Sequence, residues 1–177
     1  MLYEKSDMLI EIAKQQLRKA GWYEGRKIDL TKFEEQYAKI GCELFPAARK
    51  FLEEFGDLAI CDKVEFPYTK DGVSYNESST QWSICAGRRD LELEKRVNEL
   101  YGQKILGVGA LEYCEIYIYI SEDGRFFVNW YCVGLWAENS DQLWNEYYGE
   151  DYGWATWNDL KAGKGRTMFK KEIEKYL

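Results

Sequence analysis

The chain has 177 residues, a formal net charge of −7 and no histidine. That length predicts one domain with a substantial core, and 46% hydrophobic with 31% charged residues is a globular rather than a disordered composition. Without histidine, Ser-His-Asp and Cys-His catalysis are excluded within the chain, the commonest general base near neutral pH is missing, and the acidity opposes binding to nucleic-acid phosphates.

The first helix is predicted over Asp7 to Ala20, with Ser6 as N-cap and Leu9, Ile12, Ala13, Leu17 and Ala20 as its apolar stripe. Gly21 closes it, and Trp22 docks its end as a core anchor. Arg26 is expected to tie down the loop by stacking or by pairing with a carboxylate. A second helix spans Leu30 to Ile40, capped by Asp29, with Phe33, Tyr37 and Ile40 inward and Gly41 at its end. Pro46 opens a third, where Ala48, Phe51, Leu52 and Phe55 share one face and Gly56 stops the helix in the left-handed conformation.

These residues carry a resemblance. Gly21-Trp22, Gly25-Arg26, Gly41, Phe45-Pro46-Ala47, Phe51-Leu52 and Phe55-Gly56-Asp57-Leu58 resemble the SUKH superfamily of bacterial immunity proteins, and most of all its third subgroup. The usual pattern there ends in Phe-Gly-Gly-Leu, so Asp57 stands where the second glycine falls. The likeness covers the first third of the chain and returns from Ile116-Tyr117-Ile118 to Asp123-Gly124-Arg125. It implies a SUKH-like fold over residues 1–177, binding of a cognate protein toxin, and no catalytic residues. The matching glycines, Trp22, Arg26, Phe45, Pro46, Phe51, Leu52 and Phe55 are read as structural.

Beyond the motif, Leu58 to Cys61 reads as a strand, Tyr68 to Thr80 as a loop or loose hairpin turning at Asp71-Gly72, and Gln81 to Ala86 as a further strand. Leu91 to Tyr101 is helical, ended by Gly102. Gly107-Val108-Gly109 lacks the third glycine of a dinucleotide fingerprint and the lysine of a phosphate loop, and reads as a bend before a strand. Glu115 to Ser121 alternates Ile116, Ile118 and Ile120 with Tyr117 and Tyr119, which predicts an aliphatic face against helices and a half-covered aromatic face. Glu122-Asp123-Gly124 turns the chain into a partner strand over Arg125 to Tyr131. Asn139 or Ser140 then caps a helix through Leu143, Trp144, Tyr147 and Tyr148 to Gly149. A last, mildly basic helix is expected around Lys164, Arg166, Lys170, Lys171 and Lys175, with Met168, Phe169, Ile173, Tyr176 and Leu177 available for packing. Together the elements give an α+β fold with a mainly antiparallel sheet flanked by N-terminal and later helices.

The five cysteines, Cys42, Cys61, Cys85, Cys114 and Cys132, are odd in number and form no Cys-x-x-Cys pair, so reduced and mostly buried thiols are expected, without disulfide or metal. No cofactor is implied. The opening Met1 to Asp7 lacks a basic region followed by an apolar core, and no apolar run is long enough to span a bilayer, so a cytoplasmic monomer or small homo-oligomer is expected.

Residues 1–150 carry 18 basic and 27 acidic side chains, net −9, and residues 151–177 carry 6 and 4, net +2. The region around Asp141 to Asp159 interleaves aromatic and acidic residues. Tyr and Trp are common interface anchors, and acidic groups steer a basic partner. Glu146, Tyr148, Glu150, Asp151, Tyr152 and Trp154 are therefore the candidate partner-binding residues, with Tyr148, Tyr152 and Trp154 expected near an exposed turn between Gly149 and Gly153. A core role for these aromatics is the competing reading. Two other functions stand beside toxin binding: a non-catalytic regulatory scaffold for a cellular partner, and a hydrolase using paired carboxylates.

Overall fold

The computed structural model describes residues 9–64, 68–70, 73–75, 78–111, 116–129 and 132–170. Three short helices open it: α1 (Glu11–Lys19), α2 (Thr31–Lys39) and α3 (Pro46–Phe55). α1 starts later than the sequence predicts. Ser6 and Asp7 lie outside the described residues, and Ile10 is extended, its N–H donated to the Asn145 side-chain oxygen at 2.8 Å. That long-range bond fixes where the helix begins. α2 starts one residue later than predicted, with Leu30 rather than Asp29 at the N-cap; Asp29 instead accepts the Thr31 N–H at 2.8 Å, and bonding to Thr31 holds its carboxyl below the ordinary range. Phe33 and Tyr37 are buried, but Ile40, expected inward, lies past the helix end and is 39% exposed.

α3 buries Ala48, Phe51, Leu52 and Phe55, as its spacing dictates. Its end differs from expectation. Gly56 has φ −56°, not a left-handed value, and the left-handed residue is Asp57 at φ +59°. Gly56 is needed for space: a Cβ there would lie 2.4 Å from the Leu52 carbonyl oxygen and 3.1 Å from the Phe33 ring. Trp22 is buried and donates its indole N–H to Glu54 at 3.1 Å. Arg26 ties down the loop by donating to the Glu54 and Gly56 carbonyls at 2.6 and 2.8 Å.

The strands are β1 (Ala59–Val64), β2 (Tyr68–Lys70), β3 (Val73–Tyr75), β4 (Ser78–Ile84), β5 (Ile105–Leu111), β6 (Ile116–Ser121), β7 (Phe126–Asn129), β8 (Val133–Ala137), β9 (Asp151–Thr156) and β10 (Thr167–Lys170). Between them fall α4 (Leu91–Tyr101), α5 (Ser140–Tyr148) and α6 (Trp157–Lys161). Eight strands form one sheet in the order β1-β4-β5-β6-β7-β8-β9-β10, and β2 pairs with β3 as a separate hairpin. The described pairings are all antiparallel, so the fold is α+β with an antiparallel sheet. The loose hairpin is present as β2–β3, while its turn, Asp71-Gly72, lies outside the described residues, as do Glu115, Trp130 and Tyr131.

Gly107-Val108-Gly109 is not a bend before a strand. It lies inside β5, where the register with β6 slips between Gly107 and Gly109. Val108 is wholly buried there. The Gly107 carbonyl accepts the Tyr37 hydroxyl at 2.6 Å and the Gly87 N–H at 2.9 Å, an approach that a side chain on Gly107 would block.

Helices cover both faces of the sheet. On one, residues of α1, α2, α3 and α5 pack against Trp82, Ile118, Ile120 and Phe126. On the other, Leu93 and Val97 of α4 and Leu160 of α6 pack against Tyr119, Phe127, Leu135 and Ala155. The face carrying Tyr119 is thus more fully covered than the alternation of β6 implies. Burial pushes the Tyr119 phenol up to about 12, and Tyr117 remains half-buried beneath the Arg88 guanidinium, 4.5 Å from its ring centre.

The last described element corrects the sequence reading most. The expected basic helix is replaced over Thr167–Lys170 by a strand pairing with β9, and all four of its residues are exposed. Gly163 is left-handed and Gly165 follows, so no helix propagates through this stretch. Arg166 is drawn toward α5 instead, which sets Thr167 opposite Trp154. Lys171 and Lys175 lie outside the described residues.

Candidate functional site

The region between Gly149 and Gly153, read as an exposed turn, is the start of β9. Its residues separate into two groups. Glu146 and Tyr148 are inside: Tyr148 is wholly buried, and Glu146 is 7% exposed. The Glu146 carboxylate accepts the Gly153 N–H at 2.7 Å and pairs with the Arg166 guanidinium, which lies against the Gly153 backbone. The burial of both side chains overturns their expected place on a surface. Glu146 joins α5, β9 and the start of β10 instead.

Glu150 is exposed, and Asp151, Tyr152 and Trp154 are half-buried. The Tyr152 ring stacks on Phe169 across the β9–β10 pair, with centroids 5.3 Å apart. Trp154 packs on the core, and its ring covers Gly134 so closely that a Cβ there would sit 2.4 Å from it.

Strand register shows what these residues stand beside. Ile105 lies opposite Ser121, Ile120 opposite Phe126, Phe126 opposite Ala137, and Asp151 opposite Lys170. The segment before β5, the β6–β7 turn, the end of β8 and the start of β9 therefore share one end of the sheet. Glu122, Asp123, Glu138, Glu150 and Asp151 gather there, against Lys104, Arg125 and Lys170. Arg125 is committed: it pairs with Asp123, lies 3.9 Å from Glu138, and covers the Tyr101 ring at 4.3 Å. The end is acid-rich.

At the same end a cleft of about 630 Å³ opens between the Gly41–Pro46 loop, α4 and the start of β5. Sequence reasoning missed both features. Their residues are scattered from Gly41 to Lys170, and only the folded chain brings them together.

Burial raises the Tyr37 and Tyr101 phenols and the Cys42 thiol, and burial likewise raises the Glu54 carboxyl despite its bond from Trp22. Each shift favours the neutral form, whereas a reactive cysteine needs its thiolate favoured. Among the described residues, no group of histidine, cysteine or carboxylate side chains could hold a metal ion, and no helix is long and apolar enough to cross a membrane.

Searches among curated proteins and among solved structures return no match. A family model does match: that of the SUKH-3 immunity protein, over residues 11–148. The match runs from α1 through α5 and takes in the three opening helices and most of the sheet. On that span, the chain belongs to the SUKH-3 immunity protein family.

Proposed function

We propose that this chain is an immunity protein that neutralises a cognate bacterial toxin by binding it, and that the toxin presents a basic surface, as a nuclease does. Family membership over residues 11–148 carries this reading. The acid-rich end of the sheet supports the partner's chemistry, because clustered carboxylates speed the capture of a basic protein. Glu150, Asp151, Tyr152 and Trp154 form part of the contact, the carboxylates guiding approach and the half-buried rings retaining the complex. The protein acts as a cytoplasmic monomer or small oligomer, without cofactor or catalytic step.

The test is binding kinetics against an inactivated form of the toxin encoded beside this gene, at two salt concentrations. Glu150→Gln with Asp151→Asn is expected mainly to slow association and flatten its salt dependence. Trp154→Phe is expected mainly to speed dissociation. If both folded variants bind with wild-type rates at both salts, these residues are not part of the contact. If the wild type does not bind, the toxin reading is wrong.

A further inference from the structure

We infer that the cleft beside α4 is the receptor for a basic side chain of the toxin, an arginine or lysine on a protruding loop. This rests on the toxin reading above and adds a second contact to it, remote in sequence from Glu150 and Asp151.

The cleft has an apolar floor and acceptor-rich walls. Phe45, Ile105 and Leu106 line its floor, suited to the methylene stem of a long side chain. Its charged lining comprises Glu43, Glu94 and Glu122 against Arg89 and Lys104. Arg89 is already spent on Glu94, donating to both carboxylate oxygens at 2.9 and 2.5 Å. That leaves Glu43 and Glu122 facing the single ammonium of exposed Lys104, with one Glu122 oxygen also accepting the Lys104 backbone N–H at 2.9 Å.

Helix α4 adds to this bias. Asn98, in its last turn, lines the cleft, and that turn contains no basic residue. The negative end of the α4 dipole therefore meets the cleft with no cation of its own turn to offset it. A guanidinium or ammonium from outside would supply that charge. At about 630 Å³ the cleft falls within the usual range for bound groups and has room for a long side chain with part of its loop.

Position argues that the occupant belongs to a protein rather than a free small cation. The cleft sits at the start of β5, and Glu150 with Asp151 at the start of β9, at the same end of the sheet. Four strand steps separate them, about 19 Å at the usual interstrand spacing. An interface of about 800 Å² per partner spans that distance, so one basic surface can engage both.

The experiment compares wild type, Glu43→Lys and Asn98→Trp for binding to the inactivated toxin encoded beside this gene, with a melting curve for each. Both residues are exposed, so both variants are expected to melt as wild type does. Glu43→Lys opposes a basic side chain and Asn98→Trp fills the space it needs; each is expected to weaken binding at least tenfold. An arginine-to-glutamate change in the toxin loop should restore binding to Glu43→Lys and not to Asn98→Trp. Should Asn98→Trp fail to fold, Glu43→Lys and its rescue still decide the matter. If wild type binds and the variants bind equally well, the cleft is not the receptor and the toxin reading stands. If wild type does not bind, both fall.

Discussion

Removing the Glu146 carboxylate tests whether this residue is an internal tie or a contact for a partner. The Glu146 and Arg166 side chains are 9% and 6% exposed. Glu146→Ala leaves a guanidinium enclosed with no counter-ion and strips the Gly153 N–H of its acceptor. Breaking a buried pair from one side typically costs about 3–5 kcal/mol. In a chain of this size each kcal/mol moves the melting temperature by about 2–4 °C, so the full penalty would appear as a fall of roughly 6–20 °C.

The fold offers a cheaper escape. β10 has no buried side chain, so it can detach and carry Arg166 to water. The global loss is then expected near the lower end of that range, with a second signature: faster hydrogen exchange confined to the amides that β9 and β10 share. Replacing both partners by Leu and Met should recover part of the stability, because no buried charge is left without its mate although the Gly153 N–H still lacks an acceptor. The reasoning fails if Glu146→Ala melts and exchanges like wild type. It fails in the opposite sense if that variant is stable but no longer binds the toxin.

Three further outcomes are expected. Phe55→Ala removes a side chain that is 1% exposed and packed between Phe51 and Trp144, with ring centres 5.3 Å from each; it should cost about 3–5 kcal/mol in denaturant unfolding, and unchanged stability with lost binding would make Phe55 an interface residue. Asp57→Gly relieves a left-handed φ and loses only an exposed pair with Lys32 at 3.8 Å, so it should melt up to about 4 °C above wild type, and above Asp57→Ala; a glycine variant less stable than the alanine one would refute the argument. Alkali should unfold the protein through its phenols: Tyr119 is raised by burial from 10.0 to about 12, so the unfolded state releases this proton first. That contribution is whole below pH 10 and is lost as the pH rises through about 12. Tyr119→Phe should flatten the fall in stability over that window, as read by melting temperature against pH.

The elements most legible in the sequence were those fixed by local chemistry. α4 runs from Leu91 to Tyr101 as predicted, because Asp90 accepts the Leu93 N–H at one end and Gly102 takes φ +63° at the other. Pro46 and the apolar spacing after it set α3, and Asn139 sets the start of α5. Where distant residues decide, the local pattern misled. Ile10 could continue α1 on local grounds but is held extended by Asn145. Met168 and Phe169 fit a helical stripe, yet Glu146 holds Arg166 and the chain after it joins the sheet. The same carboxylate is a candidate contact by sequence, which shows an acidic residue among aromatics but not the arginine it meets 20 positions later.

The opening motif shows how space and backbone conformation divide between adjacent residues. In the pattern the chain resembles, two glycines stand together after the phenylalanine, and here only the first is kept. Gly56 must be glycine because the Leu52 carbonyl and the Phe33 ring leave no room for a Cβ. Position 57 has a different demand, a left-handed backbone at φ +59°, which aspartate tolerates better than most residues with a side chain. With aspartate at this position the Asp57 N–H donates to the Ile84 carbonyl at 2.9 Å and the Ile84 N–H to Leu58 at 3.0 Å, so the chain enters β1 in register with β4. Asp57→Gly should preserve these bonds and Gly56→Ala should break them. Amide exchange at Ile84 separates the two: protection retained in the first variant and lost in the second is the expected result, and protection lost in both would show that the Asp57 side chain, rather than its backbone, holds the turn.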